Sequence, residues 1–243
     1  GRSSDLVYSR RFFFLMMQQP PRATQSSSSA ASYLYKRQLL INPVAERMYG
    51  EKFHLIKANL IKKGYIIAEC EPQLEYVKKQ YKEYTKKTEN TMLDCRCPES
   101  ISLLKRNNLI NDFEVPMIEP ILVRTCRVLY DKYIKSKDDM LVVTCPCTQL
   151  RDFASEKFKD KGNVMFYTWK EFAEQEGVKS LGKIDESPIP LGYFKDTFEK
   201  VLEVSSEDEI LSEIQKIRNG FEDKYDIVEM FYCKDGCNNG DGL

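Results

Sequence analysis

The sequence predicts an α/β fold with mainly parallel sheets, flanking helices and an extended N-terminal tail. From residue 46 onward, short apolar runs alternate with longer segments of helical periodicity. Parallel neighbouring strands need crossover connections, and the intervening helices supply them. The 243 residues, of which 42% are hydrophobic, are enough to form a real core.

The first part of the body alternates helix, strand and helix. Apolar residues recur at helical spacing over 51–64, and Gly64 is a natural C-terminal cap. The run YIIAEC, residues 65–70, reads as a short buried strand. A second helix is predicted over 72–88, because Pro72 suits a first helical turn and the apolar side chains share one side.

The alternation continues to the C-terminus. NTMLDCRCP indicates a brief strand before the helical segment ESISLLKRNN, and residues 117–136 form a long amphipathic helix. MLVVTC, residues 140–145, is the clearest buried strand because its residues are apolar or β-branched. A capping box from Ser206 to Glu209 opens a late helix. The remaining predictions are helix 148–158, strand 163–169, helix 170–177 and strand 225–233.

The N-terminal segment 1–45 differs from the rest of the chain in composition. It carries six Lys/Arg against one acidic residue, Asp5, and contains QSSSSAAS. Such a segment is typical of an organellar transit sequence, and a disordered tail is the alternative. It has too few apolar residues to fold on itself, so we expect a partner surface to support it. The interpretation is a subunit of a larger assembly in a mitochondrion or related organelle, with a cytoplasmic location as the alternative.

Two kinds of partner are disfavoured. No stretch approaches the roughly 18 apolar residues of a membrane-spanning helix, although attachment to a membrane complex stays open. The basic tail suits nucleic acid, but the body lacks interleaved arginine and aromatic residues, so no nucleic-acid partner is predicted.

Six of the eight cysteines fall in three tight groups, DCRCP, TCPCT and YCKDGC. Each group comes where a predicted strand ends. Because open α/β sheets bind ligands at the carboxyl ends of their strands, three strand ends are expected to bring these thiols to one crevice.

Clustered thiols have three ordinary uses. Disulfides suit short secreted chains, and a pair two residues apart is poorly placed to bridge itself. Zinc usually takes thiolates from Cys-x2–4-Cys knuckles, which the two Cys-x-Cys pairs, Cys95/Cys97 and Cys145/Cys147, fit poorly, and the single histidine, His54, lies far away in sequence. A 4Fe–4S cluster takes four thiolates from dispersed loops. The cluster is favoured, and zinc stays the alternative cofactor.

The three groups lie in motifs that recur, in the same order, in a known family. EMFYCKDGCNNGDG resembles the closing motif of the diiron (iron-only) hydrogenase catalytic domain, VVTCPCT resembles its Met-Pro-Cys-Thr motif, and LDCRCPE resembles its Thr-Ser-Cys-Cys-Pro motif. The resemblance covers roughly residues 50–243 and implies a hydrogenase-like iron–sulfur domain over 46–243. It also implies four cubane ligands, the last of which bridges to the diiron unit in the family: Cys97, Cys147, Cys233 and Cys237.

The sequence departs from the family where catalysis requires a match. The position of the proton-relaying cysteine is Arg96, a permanent cation that cannot shuttle protons. The lysine that anchors a diatomic ligand of the diiron unit is replaced by Leu150, and a methionine of the second motif by Cys145. Only 85 residues separate Cys147 from Cys233, which is short for the family. No catalytic residue is therefore assigned.

The remaining cysteines receive secondary roles. Cys95 and Cys145 are alternate ligands, because residues i and i+2 of an extended segment face the same side. Cys70 and Cys126 are expected to pack in the core. Three charged residues beside the site are expected to be exposed and solvated: Asp94, Lys234 and Asp235.

The predicted function is a non-catalytic iron–sulfur protein that binds one 4Fe–4S cluster. The cluster would transfer electrons or support the fold within a larger assembly such as a respiratory complex. A minimal active iron hydrogenase and a zinc-stabilised structural module are the alternatives. An iron–sulfur assembly factor is less favoured, because such relatives carry an additional N-terminal cluster motif and the first 69 residues contain no cysteine.

Overall fold

The computed structural model describes residues 36–220 and 224–243. Most of the predicted N-terminal extension, residues 1–35, lies outside the described residues. The described elements include seven strands: β1 (Arg37–Leu40), β2 (Tyr65–Ile67), β3 (Met92–Leu93), β4 (Met140–Cys145), β5 (Val164–Thr168), β6 (Val201–Ser205) and β7 (Ile227–Phe231). The helices are α1 (Pro43–Tyr49), α2 (Phe53–Lys62), α3 (Leu74–Thr85), α4 (Pro98–Arg106), α5 (Ile121–Tyr133), α6 (Thr148–Lys157), α7 (Trp169–Gln175) and α8 (Glu207–Arg218).

The strands form two parallel sheets. The first has the order β2-β1-β4-β5, and the second has the order β3-β7-β6. Every pairing between these strands is parallel, and helices cross between them. The predicted α/β class with mainly parallel sheets is confirmed.

The first sheet is buried on both faces, as its sequence predicts. In β4, Val142 belongs to a core cluster on one face, together with Leu39 of β1 and Trp169 of α7. Its neighbours Leu141 and Val143 belong to the cluster on the opposite face. Because both faces of β4 are covered by apolar side chains, no position along it faces solvent, which explains the unbroken apolar run MLVV.

The second sheet contains β6, a strand that the sequence analysis does not predict. Its residues VLEVS follow an irregular Pro-containing stretch and place a glutamate at the centre, which weakens the strand pattern. The local strand propensity of these residues is weak, and β6 is stabilised instead by its pairing with β7 over five residues. The buried position of β7 between β3 and β6 then defines where its last residues emerge.

The helix and strand boundaries differ from the predictions at several places, and β2 ends at Ile67 rather than at Cys70. α3 begins at Leu74 rather than at Pro72, and α5 begins at Ile121, directly after Pro120, rather than at residue 117. β1 and the first part of α1 lie within the segment 1–45 that the sequence analysis treats as an extension. β1 is short and next to basic residues, so only its pairing with β2 and β4 marks it as a strand.

Across residues 36–220 and 224–243, no helix combines the length and the apolar character that crossing a membrane requires.

Candidate metal centre

The four predicted ligands follow the carboxyl ends of three strands. Cys97 comes shortly after β3 and is the residue at the N-terminus of α4, with Pro98 in the first turn. Cys147 occupies the same place between β4 and α6. Cys233 and Cys237 lie in the turns that follow β7. Two ligands therefore begin helices, and two lie on an irregular C-terminal segment.

Hydrogen bonds attach the C-terminal segment to the start of α6. The Asp241 carboxylate accepts a hydrogen bond from the Thr148 backbone N–H at 2.9 Å and another from the Thr148 hydroxyl. The backbone N–H of Lys170 donates to the Gly242 carbonyl at 2.8 Å. These bonds hold residues 237–242 against the turn that carries Cys147.

Glycine makes this close approach possible. A Cβ atom on Gly240 would lie 2.4 Å from the Pro146 carbonyl oxygen and 3.3 Å from Cys147 Cβ. A Cβ atom on Gly242 would lie 2.7 Å from Thr168 Cβ. Both spaces are too small for any side chain. The glycines of the NNGDG run after Cys237 therefore allow the C-terminal segment to pack against the turn that carries Cys147.

Burial and charge both raise the pKa values of thiols in this set. Burial raises the pKa of Cys147 to about 12, an effect that the Leu150 N–H moderates by donating to Sγ at 3.4 Å. Burial raises the pKa of Cys233 to about 11 and that of Cys237 well above its ordinary value. The charges of the other thiolates raise these values further.

These charge effects link every pair of the four. The charges of Cys97 and Cys233 raise the pKa of Cys147, and the charge of Cys97 raises the pKa of Cys233. Cys237 is raised by all three of the others. We name these four residues, which follow the ends of β3, β4 and β7, the thiol cluster: Cys97, Cys147, Cys233 and Cys237.

The thiol cluster contains four soft donors whose negative charges oppose one another. Without a cation, burial and mutual repulsion both favour the protonated thiols. Within the described part of the chain, no three Cys, His, Asp or Glu side chains are arranged to hold a single metal ion. All eight cysteines, each within the described residues, are free thiols.

The other four cysteines lie apart from this group. Cys126 and Cys145 are buried in the core cluster of the first sheet, as expected for Cys126. Cys95 donates to the Leu93 carbonyl at 3.5 Å, and the charges that act on its pKa come from Asp94 and Lys105 rather than from other cysteines. Cys70 lines a cavity discussed below. Cys145 does feel the charge of Cys147, but its side chain packs with the apolar residues of β4.

A buried ion cluster lies next to the thiols. Arg96 donates from Nη2 to Glu229 Oε1 at 2.6 Å and from Nε to both Asp94 oxygens at 2.9 and 3.1 Å. Its Nη2 also forms an ion pair with Asp94 Oδ2 at 2.8 Å. The Arg96 side chain is 4% exposed, and both carboxylates are fully buried. The expectation that Asp94 is exposed and solvated is wrong, because Arg96 recruits it into the core. Lys234 and Asp235 are exposed, as expected.

Further contacts hold this ion cluster rigidly. The Tyr81 hydroxyl donates to Asp94 at 3.2 Å, and Glu229 accepts backbone N–H bonds from Gly192 and Tyr193 at 3.1 Å each. The Arg96 guanidinium also lies over three aromatic rings, with centroid distances of 4.2 to 5.2 Å: Tyr193, Phe194 and Phe231.

These surroundings keep Arg96 charged. Burial alone lowers its pKa, but the charges of Asp94 and Glu229 and their hydrogen bonds outweigh burial, so the pKa lies above its ordinary value. A guanidinium in this state donates hydrogen bonds and accepts no proton. The position that the resemblance assigns to a proton relay is therefore occupied by a fixed cation.

A cavity of about 730 Å³ opens beside both groups. Arg96, Cys237 and Leu150 all line it, together with Pro146 and Cys70. Two of the three positions that depart from the hydrogenase pattern, Arg96 and Leu150, therefore line the same space as the predicted ligand Cys237.

The fold and this site define a class: an α/β protein of two parallel sheets with a cysteine cluster at its strand ends. Solved structures of FeFe-hydrogenases share the fold. HydA(deltaEFG), from work on stepwise H-cluster assembly, has a TM-score of 0.53 and 13% identity over 89% of this chain and 82% of its own. A variant of HydA1 from Chlamydomonas reinhardtii has a TM-score of 0.55 and 14% identity over 90% and 82%.

A third FeFe-hydrogenase structure, from work on oxygen inactivation through the 2Fe subcluster of the H cluster, has a TM-score of 0.55 and 14% identity over 89% of this chain and 82% of its own. No family model matches the sequence. No curated protein matches it either. The resemblance first indicated by the three cysteine motifs is confirmed at the level of the fold.

The sequence analysis names Asp94 beside the site but not its pairing with Arg96, and it misses three further residues. Tyr81 and Tyr193 contact the ion cluster, and Asp241 fixes the C-terminal segment. The sequence does contain a signal for the pairing of Asp94 with Arg96. The two residues are only two positions apart at the end of a predicted strand, so their side chains can form a local ion pair. The two tyrosines carry no signal, because they come from distant segments of the chain.

Proposed function

We propose that this protein is a non-catalytic iron–sulfur protein in which the thiol cluster holds one 4Fe–4S cluster. The observation that carries the proposal is that Cys97, Cys147 and Cys233 each follow the carboxyl end of a parallel strand. The segment that carries Cys237 is in turn hydrogen-bonded to the start of α6, next to Cys147. Four soft donors and no nitrogen or oxygen ligand suit iron–sulfur clusters, and they also suit zinc. When bound, such a cluster supplies a one-electron redox couple.

The protein's own residues fit that group. The raised pKa values mean that the thiols gain from a cation that removes their protons and neutralises their charge. The Leu150 N–H already donates to the sulfur of Cys147, and such hydrogen bonds stabilise a ligating thiolate. Cys97 and Cys147 stand at helix N-termini, where the helix dipole favours negative charge.

The alternative of an active hydrogenase is less well supported. Arg96 is held by two carboxylates and three rings and cannot relay a proton. Leu150 offers the cavity an apolar side chain where an anchoring cation would be required. We infer a role in electron transfer or structural support within a larger assembly, contacted through the N-terminal extension.

Anaerobic reconstitution of the full chain with iron and sulfide tests the proposal. We expect about four iron atoms per chain and a paramagnetic signal after reduction by dithionite. Zinc binding without a reduced-cluster signal would support the zinc-stabilised module instead. Infrared bands of bound CO or cyanide on the anaerobically purified protein would restore the hydrogenase alternative.

The proposed organellar location has a separate test. Residues 1–45 fused to a fluorescent protein should direct it to mitochondria or related organelles of the source cells. Diffuse cytoplasmic fluorescence would contradict this location while leaving the cluster proposal intact.

A further inference from the structure

We propose that Asp241 is a positioning residue for the iron–sulfur cluster, which fastens the segment of Cys237 to helix α6 and lowers the reduction potential of a cluster bound there. The inference rests on the proposed function, because it requires a cluster held by the four thiols. It joins two observations: the hydrogen bonds of one carboxylate, and the place of that carboxylate at the helix end beside Cys147.

The Asp241 carboxylate makes two hydrogen bonds to a single residue of α6. Its Oδ1 accepts from the Thr148 backbone N–H at 2.9 Å, and its Oδ2 accepts from the Thr148 hydroxyl. Thr148 directly follows Cys147, and Asp241 shortly follows Cys237. The carboxylate therefore joins the segments of two predicted ligands through residues that are 93 positions apart in sequence.

The neighbouring side chains of the C-terminal segment bond elsewhere. Asn238 donates to the Ile184 carbonyl at 2.8 Å, and Asn239 donates to the Lys234 carbonyl at 2.7 Å. Asp241 is consequently the side chain through which this segment is hydrogen-bonded to α6.

The same carboxylate lies at the positive end of the α6 dipole. The helix has ten residues and no acidic residue in its own first turn. The first N–H groups of a helix lack partners within it, so this end favours negative charge. The Leu150 N–H donates to Cys147 Sγ at 3.4 Å, and the Thr148 N–H donates to Asp241. A predicted ligand and a carboxylate thus share one helix end.

A negative charge at this place opposes the reduction of a bound cluster. Reduction adds one electron, so a nearby carboxylate stabilises the oxidised state relative to the reduced state and lowers the reduction potential. In the metal-free protein, the charge of Asp241 also contributes to the raised pKa values of Cys147 and Cys233, because it opposes their ionisation. Asp241 is exposed, so solvent weakens this effect without removing it.

Two substitutions separate the hydrogen bonds of Asp241 from its charge. Asp241→Asn removes the charge, but its amide oxygen still accepts from the Thr148 N–H and its amide nitrogen donates to the Thr148 hydroxyl oxygen. That hydroxyl then donates to Gln149 Oε1, which lies 3.1 Å away. Asp241→Ala removes the charge and both bonds. Asp160→Asn, at an exposed position beyond the other end of α6, is the control for the loss of one charge.

The full chains are reconstituted anaerobically with iron and sulfide, and the release of iron to a chelator is measured first. We expect release from Asp241→Ala to be at least about fivefold faster than from the native protein, because two hydrogen bonds are lost. Release from Asp241→Asn and from Asp160→Asn should match the native protein, because both retain bonds between the C-terminal segment and α6.

The reduction potential is measured by redox titration at low ionic strength, where an exposed charge is least screened. It should rise in both Asp241 variants, so that the ratio of reduced to oxidised cluster at a fixed potential increases about threefold. Asp160→Asn should leave the potential unchanged, because its charge is distant from the thiols.

The contrary results are distinct. Native release from Asp241→Ala, or fast release from Asp241→Asn, would overturn the role of the hydrogen bonds. An unchanged potential in both Asp241 variants would overturn the effect of the charge. A native protein that binds no iron would overturn the proposed function and this inference with it, whereas a loaded native protein with unaffected Asp241 variants would overturn this inference alone.

Discussion

Two buried polar groups lie side by side in this protein, and their charges are balanced in opposite ways. The ion cluster of Asp94, Arg96 and Glu229 contains both signs and satisfies most of its hydrogen-bonding groups from within the chain. The thiol cluster contains four groups of one kind, each of which opposes ionisation of the others. The first finds most of its partners within the chain, whereas the second gains from an added cation.

The largest expected effect concerns the thiol cluster. Cys147→Ala should lower iron from about four atoms per reconstituted chain to nearly none, because a cubane needs its four thiolates. Cys95→Ala and Cys145→Ala, which remove thiols outside the cluster, are the matched controls and should retain iron. Iron analysis together with visible absorption measures all three, and full retention in Cys147→Ala would remove this cysteine from the ligand set.

Substitution in the ion cluster should lower the free energy of unfolding rather than the iron content. Arg96→Met leaves two buried carboxylates without their cation, which should cost about 3–5 kcal/mol of unfolding free energy. Arg106→Met breaks the exposed pair with Glu99 and should cost at most about 1 kcal/mol. Urea unfolding of the metal-free proteins gives both values. Equal costs would show that the buried cluster contributes no more than a surface pair.

The junction between the segments should be sensitive to single atoms. Gly240→Ala places a Cβ against the Pro146 carbonyl and should cost about 1–3 kcal/mol, with weaker retention of iron under chelation. Gly162→Ala, where a Cβ would meet nothing within 4 Å, is the control and should change neither property. Equal stability and equal iron retention in the two variants would show that iron binding does not depend on the packing of the C-terminal segment.

The smallest expected effect is a pH dependence of the metal-free protein. The folded-state pKa of Cys147 is raised to about 12, above an unfolded value of about 8.5. The stabilisation is therefore fully present below about pH 8.5 and is lost as the pH rises toward 12, by on the order of 1 kcal/mol at pH 9.5.

Urea unfolding at pH 7.5 and pH 9.5 measures this loss. Cys147→Ala lacks the group and should show a shallower dependence on pH. Stability that increases with pH would contradict the protonated thiols described for the metal-free state.

Much of the fold can be predicted from local patterns. MLVVTC coincides with β4, and the helix over 148–158 ends within one residue of α6, because strong periodicity and β-branched residues leave few alternatives. β6 and β1 escape prediction for a common reason. Each is short, carries charge in or beside it, and is held by pairing with a neighbour that is distant in sequence.

The candidate site follows the same division. The grouping of cysteines after predicted strands leads to six candidates, and the resemblance to the hydrogenase motifs selects the four members of the thiol cluster from them. The pairing of Arg96 with Glu229 joins residues 133 positions apart. No local pattern reports such a pair, and the burial that makes it strong exists only after the two segments meet.

The sequence by itself determined the class of fold and the placing of three cysteine groups at strand ends, because residue types and short spacings carry that information. The tertiary structure alone decided that Asp94 is buried, that Arg96 is held as a permanent cation, and that a cavity opens beside Cys237. Each of these depends on which distant side chains exclude water from one another. Desolvation, which sets the strength of buried charges, arises only when separate parts of the chain pack together.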